Sequence, residues 1–139
     1  MAVIRTFLDA GVLLAAIRGG TDVCDKALSL LDDPDREFIT SEFLKLELLP
    51  MAIYHSRQTE VDFYNAFFAG AKHHAEASQE IANSAFDFAK THGIAAIDAL
   101  HVAVAAKFHA DEIITTEKST KPMYRVQFSK VIPLTDSSA

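Results

Sequence analysis

Residues 93–118 read GIAAIDALHVAVAAKFHADEIITTEK. From Ile94 to Phe108 nearly every residue is apolar, yet Asp98 and His101 sit inside the run. An unpaired buried charge costs several kcal/mol even after relaxation, so Asp98 needs a compensating partner. A helix this apolar is buried on all sides. The run 97–108 therefore reads as a core helix, and DEIITT after it reads as the strand it feeds. The run is too short, and carries too much charge, to cross a membrane.

The same alternation extends outward from this stretch. Ala2–Leu8 is short, β-branched and aromatic, and ends at Asp9-Ala10-Gly11, as a first strand would. GVLLAAIR forms a short helix closed by Gly19-Gly20, and a second helix starts with Thr21 or Asp22 as its cap. After the turn Asp32-Asp33-Pro34-Asp35, EFIT is a second strand leading to Ser41. SEFLKLELLPMAIYH is helical, with Pro50 expected to kink or break it. TEVDFYNAFFAG is a further helix capped by Thr59, and Ala77–Thr91 another, with Gly93 just past its end. KVIPL supplies a last strand. The pattern predicts a three-layer α/β/α fold with a mainly parallel sheet of four or five strands. One domain over residues 1–135 and a loose tail over 136–139 are expected.

Composition narrows the function. The chain of 139 residues is 50% hydrophobic and 23% charged, with a formal net charge of −6. That is a globular composition, and its sign argues against an indiscriminate nucleic-acid binder. Cys24 is the only cysteine, which excludes an internal disulfide and a cysteine metal cage, and a cytoplasmic setting is expected. The N-terminal MAVIRTFLDAGVLLAAIRGG has an apolar core interrupted by Asp9, which argues against a signal peptide.

In an open parallel sheet, ligands bind beyond the carboxyl ends of the strands. Asp9 follows the first strand, Glu117 follows DEIITT, Asp98 opens the buried helix, and Glu47 sits one to two turns into the helix after the second strand. Four acids converging on one rim need either a shared proton or a hard divalent cation such as Mg²⁺ or Mn²⁺. No HExxH, zinc spacing, Walker loop or GxSxG elbow is present.

TFLDAGVLLA, TSEFLKLELLP, IAAIDALHVAVA and IITTEK, taken in that order, resemble the PIN domain, and in particular the small VapC-like ribonuclease toxins of prokaryotic toxin–antitoxin pairs. The resemblance runs from Val3 to Leu134. It implies a metal-dependent ribonuclease, a hydrolase in which Asp9, Glu47 and Asp98 are the central metal-holding acids and Glu117 stands where the family usually has aspartate. Thr115 matches a hydroxyl that supports those carboxylates. Ala10-Gly11 departs from the family, which often carries a hydroxyl or amide side chain there. A homodimer and a small antitoxin partner follow from the same resemblance, with RNA as substrate.

Each residue also has a plainer reading. Asp98 and Asp9 are common helix caps. Glu42, beside Ser41, competes with Glu47 as a first-turn glutamate. His101 lies one turn after Asp98, where it would support the carboxylates, shuttle a proton, or be an ordinary buried histidine. His55, His73 and His74 read as surface residues. Arg18, Lys45, Lys118, Lys121 and Arg125 are candidate RNA contacts, and Tyr124 could stack on a base; solvated charge is the alternative. A degenerate site acting as an RNA-binding or protein-interaction module is the competing function. A receiver-type phosphoacceptor domain would need an aspartate after the third strand and a lysine after the fifth, and neither is found.

Overall fold

The computed structural model describes residues 2–134. In chain order the elements are β1 Ile4–Leu8, α1 Ala10–Arg18, α2 Thr21–Leu31, β2 Arg36–Ser41, α3 Glu42–Tyr54, α4 Gln58–Gly70, β3 His73–Ala75, α5 Gln79–His92, α6 Ala96–Lys107, β4 Glu112–Thr115, a 3₁₀ turn Pro122–Arg125, and β5 Lys130–Pro133. The five strands form one sheet in the order β3-β2-β1-β4-β5, and every adjacent pair is parallel. The expected tail lies outside the described residues.

Alternation along the strands decides which residues reach which layer. Phe7 of β1, Ile39 of β2 and Ile113 of β4 pack with α5 and α6 on one face of the sheet. Leu8 and Ile114, one residue further on, pack with α1 to α4 on the other. Both faces are covered, as an all-parallel sheet requires. The α6 residues Val102, Ala103, Val104 and Ala105 are all buried, which explains the apolar run. The expected three-layer architecture is the observed one.

The chain visits β1, β2 and β3 in one direction, then crosses back to place β4 on the other side of β1. The β1/β4 boundary is thus the topological switch point, where crevices form at the carboxyl ends. Asp9 N–H donates to Ile114 O at 3.0 Å across that boundary. At the opposite ends of the strands, buried Glu112 accepts 2.7 Å bonds from Thr6 Oγ1 and Arg36 Nε, and Arg36 also pairs with Asp33.

Some local expectations give way. Pro50 does not end α3, which continues through it to Tyr54. Leu46, four residues earlier, is 70% exposed, so the carbonyl that Pro50 leaves without an N–H lies on the wet side of the helix. Thr59 is not the cap of α4; Arg57 occupies that position and makes no side-chain cap bond. Gly20, not Thr21 or Asp22, precedes α2. Gly93 ends α5 at φ 70°, in the left-handed region where glycine carries no Cβ penalty. The aromatics of α4 need no outside partner: Tyr64 and Phe67 are core, with Phe63 and Phe68 packed against it.

Candidate metal-binding active site

Asp9 is the hinge between β1 and α1. Extended at φ −67° and ψ 157°, it caps the helix, with Oδ1 accepting from Ala10 N–H at 2.8 Å. Its other oxygen, Oδ2, accepts from the buried Thr115 hydroxyl at 2.9 Å. Capping and a place at the candidate site thus coexist. Thr115 Oγ1 in turn accepts from Glu117 N–H at 3.0 Å, and Glu117 O accepts from Tyr124 OH at 2.9 Å. The loop after β4 is stitched to the start of α1 by this chain. Gly11 makes the fit close: a Cβ there would lie 2.0 Å from Thr116 Oγ1. No side chain is tolerated at that point unless Thr116 moves.

Glu47 reaches the same rim from α3. Its Oε1 lies 2.7 Å from His101 Nε2 on α6. His101 is 1% exposed, and its ring packs on Phe7 with centroids 5.4 Å apart. One donor atom from each of Asp9, Glu47 and His101 lies within 4.8 Å of the others. His101 therefore belongs to the site, and its tautomer decides its role. A ligating imidazole normally donates its second N–H to an acceptor, but His101 Nδ1 is buried without a partner. A bare acceptor nitrogen costs less than an orphaned N–H. The neutral Nε2–H form, donating to Glu47, fits best and makes His101 the orienter of that carboxylate.

Asp98 lies in the first turn of α6, not at its cap; Ala95 holds the cap position and makes no side-chain bond. The helix dipole favours a carboxylate there. Even so, burial first, then the charges of Asp9, Glu117 and Glu47, push its pKa up. These are the other three acids of the predicted rim, and each is near enough for its charge to act on Asp98. Such a set suits a hard cation: carboxylate oxygens are its preferred donors, and the cation would relieve the repulsion that raises Asp98.

The remaining candidates scatter. Glu42 points to the sheet edge, where Oε2 meets His74 Nε2 at 2.5 Å, and His73 pairs with Glu37 at 3.0 Å on the same edge. Both are strand residues with carboxylate partners; His74 is exposed, as is His55, in line with a surface reading, while His73 is half-buried. Arg18 holds Glu60 of α4 through two bonds, of 2.7 and 2.5 Å. Arg125 Nη1 donates to His92 O at 2.7 Å, closing the end of α5. Lys118 and Lys121 are exposed beside Glu117. Lys45 lies over the Phe68 ring at 5.9 Å. Sequence reasoning missed the pairing of Glu47 with His101, because nothing in the sequence says which helix face meets α6; Tyr64 is buried beside the Arg18–Glu60 pair, and burial, then the charge of Glu60, holds its hydroxyl above the usual tyrosine range.

This architecture is shared by solved structures of low sequence identity. VapBC2 of Rickettsia felis, bound to a DNA fragment from its promoter, is 14% identical with a TM-score of 0.69, covering 94% of this chain and 98% of that one. A toxin–antitoxin complex from Klebsiella pneumoniae is 18% identical at 0.69, covering 93% and 97%. FitAcB of Neisseria gonorrhoeae is 19% identical at 0.64, with the same coverages. No curated protein matches by sequence. The family model for the PIN domain matches residues 6–127, which takes in the end of β1 and the switch-point acids. The chain belongs to the PIN domain family.

Proposed function

We propose that this protein is a metal-dependent endoribonuclease of the PIN type, acting in the cytoplasm as the toxin of a type II toxin–antitoxin pair. The observation that carries the reading is that donor atoms of Asp9 and Glu47 come within 4.8 Å of each other at the switch point, with Asp98 near enough to feel their charges and that of Glu117. These four acids would hold Mg²⁺ or Mn²⁺, which supplies Lewis acidity and an activated water for phosphodiester hydrolysis. Thr115 fixes one oxygen of Asp9. His101 holds Glu47 in place. Lys118 and Lys121 draw the RNA backbone toward the acids, which would otherwise repel it. Arg18 and Arg125, already paired, serve the strand less directly.

The structural relatives are toxin–antitoxin complexes. By that analogy a small antitoxin covers the acidic rim. A second copy of the chain covers the outer side of α3, where Leu46, Met51, Ile53 and Tyr54 are all more than half exposed. Among the described residues no helix is long and apolar enough to cross a membrane.

Thermal melting with and without excess Mn²⁺, on wild type and Asp98→Asn in parallel, tests the site. Binding to the folded state alone raises stability by mass action. Wild type is expected to gain several degrees, Asp98→Asn little, and only wild type to cut RNA. Equal behaviour of the two proteins would sink the reading and leave a degenerate binding module.

A further inference from the structure

Asp9 and Glu47 belong to two different sets of donors. Under the reading above they join Asp98 and Glu117 in an all-carboxylate rim. With His101 they make a mixed set, in which one oxygen of each acid and a ring nitrogen all lie within 4.8 Å of one another. Oxygen donors suit Mg²⁺ and Mn²⁺, whereas imidazole suits Zn²⁺ and the other late first-row ions. His101 is fixed: 1% exposed, with its ring on Phe7, it presents Nε2 to Glu47 at 2.7 Å. Glu47 is the adaptable partner, with a side chain 37% exposed. Asp9 is anchored by Ala10 N–H and the Thr115 hydroxyl, and each of its oxygens keeps a second lone pair for an ion.

We infer that Asp9, Glu47 and His101 form a second, competing metal site, selective for Zn²⁺-class ions, through which such an ion inhibits the protein. The inhibition rests on the ribonuclease reading above; the site itself does not. Three protein ligands with an open fourth position are a common Zn²⁺ arrangement, with bonds of about 2.0–2.2 Å. Glu47 needs only to loosen its bond to His101 for an ion to enter between them. As Nε2 turns from donor to ligand, the ring proton passes to Nδ1, which is buried without a partner. An N–H left unpaired there costs affinity. Zn²⁺ held this way therefore stays exchangeable, as an inhibitor does, rather than locked in like a structural ion. With Asp9 and Glu47 taken, Asp98 and Glu117 alone are a poor set for the hard ion.

The test titrates Zn²⁺ and, separately, Mn²⁺ into metal-free wild type, His101→Gln and Asp98→Asn by calorimetry. Glutamine keeps an N–H for Glu47 but offers no nitrogen ligand. His101→Gln is expected to weaken Zn²⁺ binding at least about tenfold and Mn²⁺ binding less than about threefold, and Asp98→Asn to do the reverse. The histidine-ring ¹⁵N resonances of wild type give a readout that needs no variant: one equivalent of Zn²⁺ should shift His101 first. A shift confined to outer histidines, such as His74 beside Glu42, overturns the inference, as does equal Zn²⁺ affinity in wild type and His101→Gln. In Mn²⁺-driven RNA cleavage, the Zn²⁺ concentration that halves each protein's own rate should rise at least about tenfold in His101→Gln. Inhibition that ignores the change removes the inhibitory role. The two readings fail differently. Mn²⁺ binding through Asp98, with Zn²⁺ indifferent to His101, sinks this inference alone. Zn²⁺ held by His101 without any Mn²⁺ binding or cleavage sinks the ribonuclease reading and keeps the zinc site.

Discussion

Asp98 carries a charge in surroundings that disfavour it, and that has a consequence for stability. Its pKa in the folded protein lies above the ordinary aspartate value. Between those two values the native state binds more proton than the unfolded chain, so stability falls as pH rises through the window. Asp98→Asn removes this term. Without metal, the variant is expected to be at least as stable as wild type at neutral pH, with a flatter pH profile; urea melts with EDTA across pH 3 to 7 check it, and a less stable variant would mean that Asp98 supports the fold (roughly the range in which carboxylates titrate). His101 belongs to the same scale. As an orienter it keeps its nitrogen off the ion, so Mn²⁺ bound to wild type should show no ¹⁴N coupling by pulsed electron paramagnetic resonance, while His101→Ala weakens Mn²⁺ affinity about tenfold. A coupling that vanishes in the variant would make His101 a ligand. Asp9 and Asp98 stood out in the sequence because acids are costly in apolar runs. The partners of Glu47 and Glu42 did not, since which helix face meets α6 and which meets β3 is set only when the layers pack.

Among the elements, those with strong local chemistry were readable. Gly93 marked the end of α5 because a left-handed residue there wants no Cβ. The three-residue β3, His73-His74-Ala75, has neither β-branched residues nor alternation, and it exists because β2 offers it a parallel edge. The loop after β4 shows how two elements make one site. Its Thr115 holds Asp9, and its Thr116 fills the space beside Gly11. Alanine is the better helix former by about 0.5–1 kcal/mol, but its Cβ at Gly11 would collide with the stiff Thr116 side chain. Overpacking of that kind costs about 1–3 kcal/mol and wins. Gly11→Ala is expected to lose about 1 kcal/mol in denaturant melts and to weaken Mn²⁺ binding, because displacing the loop releases Thr115 from Asp9. Adding Thr116→Ala should recover part of both, since the colliding hydroxyl is gone while its Cβ stays close. Stability without recovery in the double variant would show that the loop is not held at this contact.

At the scale of the molecule, alternating strands and helices announced a parallel α/β fold, but the order β3-β2-β1-β4-β5 came from packing between distant segments. That order places the acids: with β1 central and β4 crossing back beside it, Asp9, Asp98 and Glu117 reach one rim although they are far apart in the chain. It also leaves α3 with two duties. One side presents Glu47 to His101, and the other turns Leu46, Ile53 and Tyr54 outward at 70%, 60% and 77% exposure. Apolar side chains exposed together mark an interaction face. If that face joins two copies about a twofold axis, any substitution in it acts twice. Burying one isoleucine contributes about 1.5–3 kcal/mol, so Ile53→Lys, which also brings two like charges together, should weaken the dimer by more than about a hundredfold. Sedimentation equilibrium at micromolar protein is expected to show wild-type dimer and Ile53→Lys monomer. Because Ile53 points away from the acids, Mn²⁺-induced stabilisation and RNA affinity per subunit should survive. A variant that stays dimeric would move the self-association surface elsewhere, and loss of metal response on dissociation would mean the rim needs its partner to hold its shape.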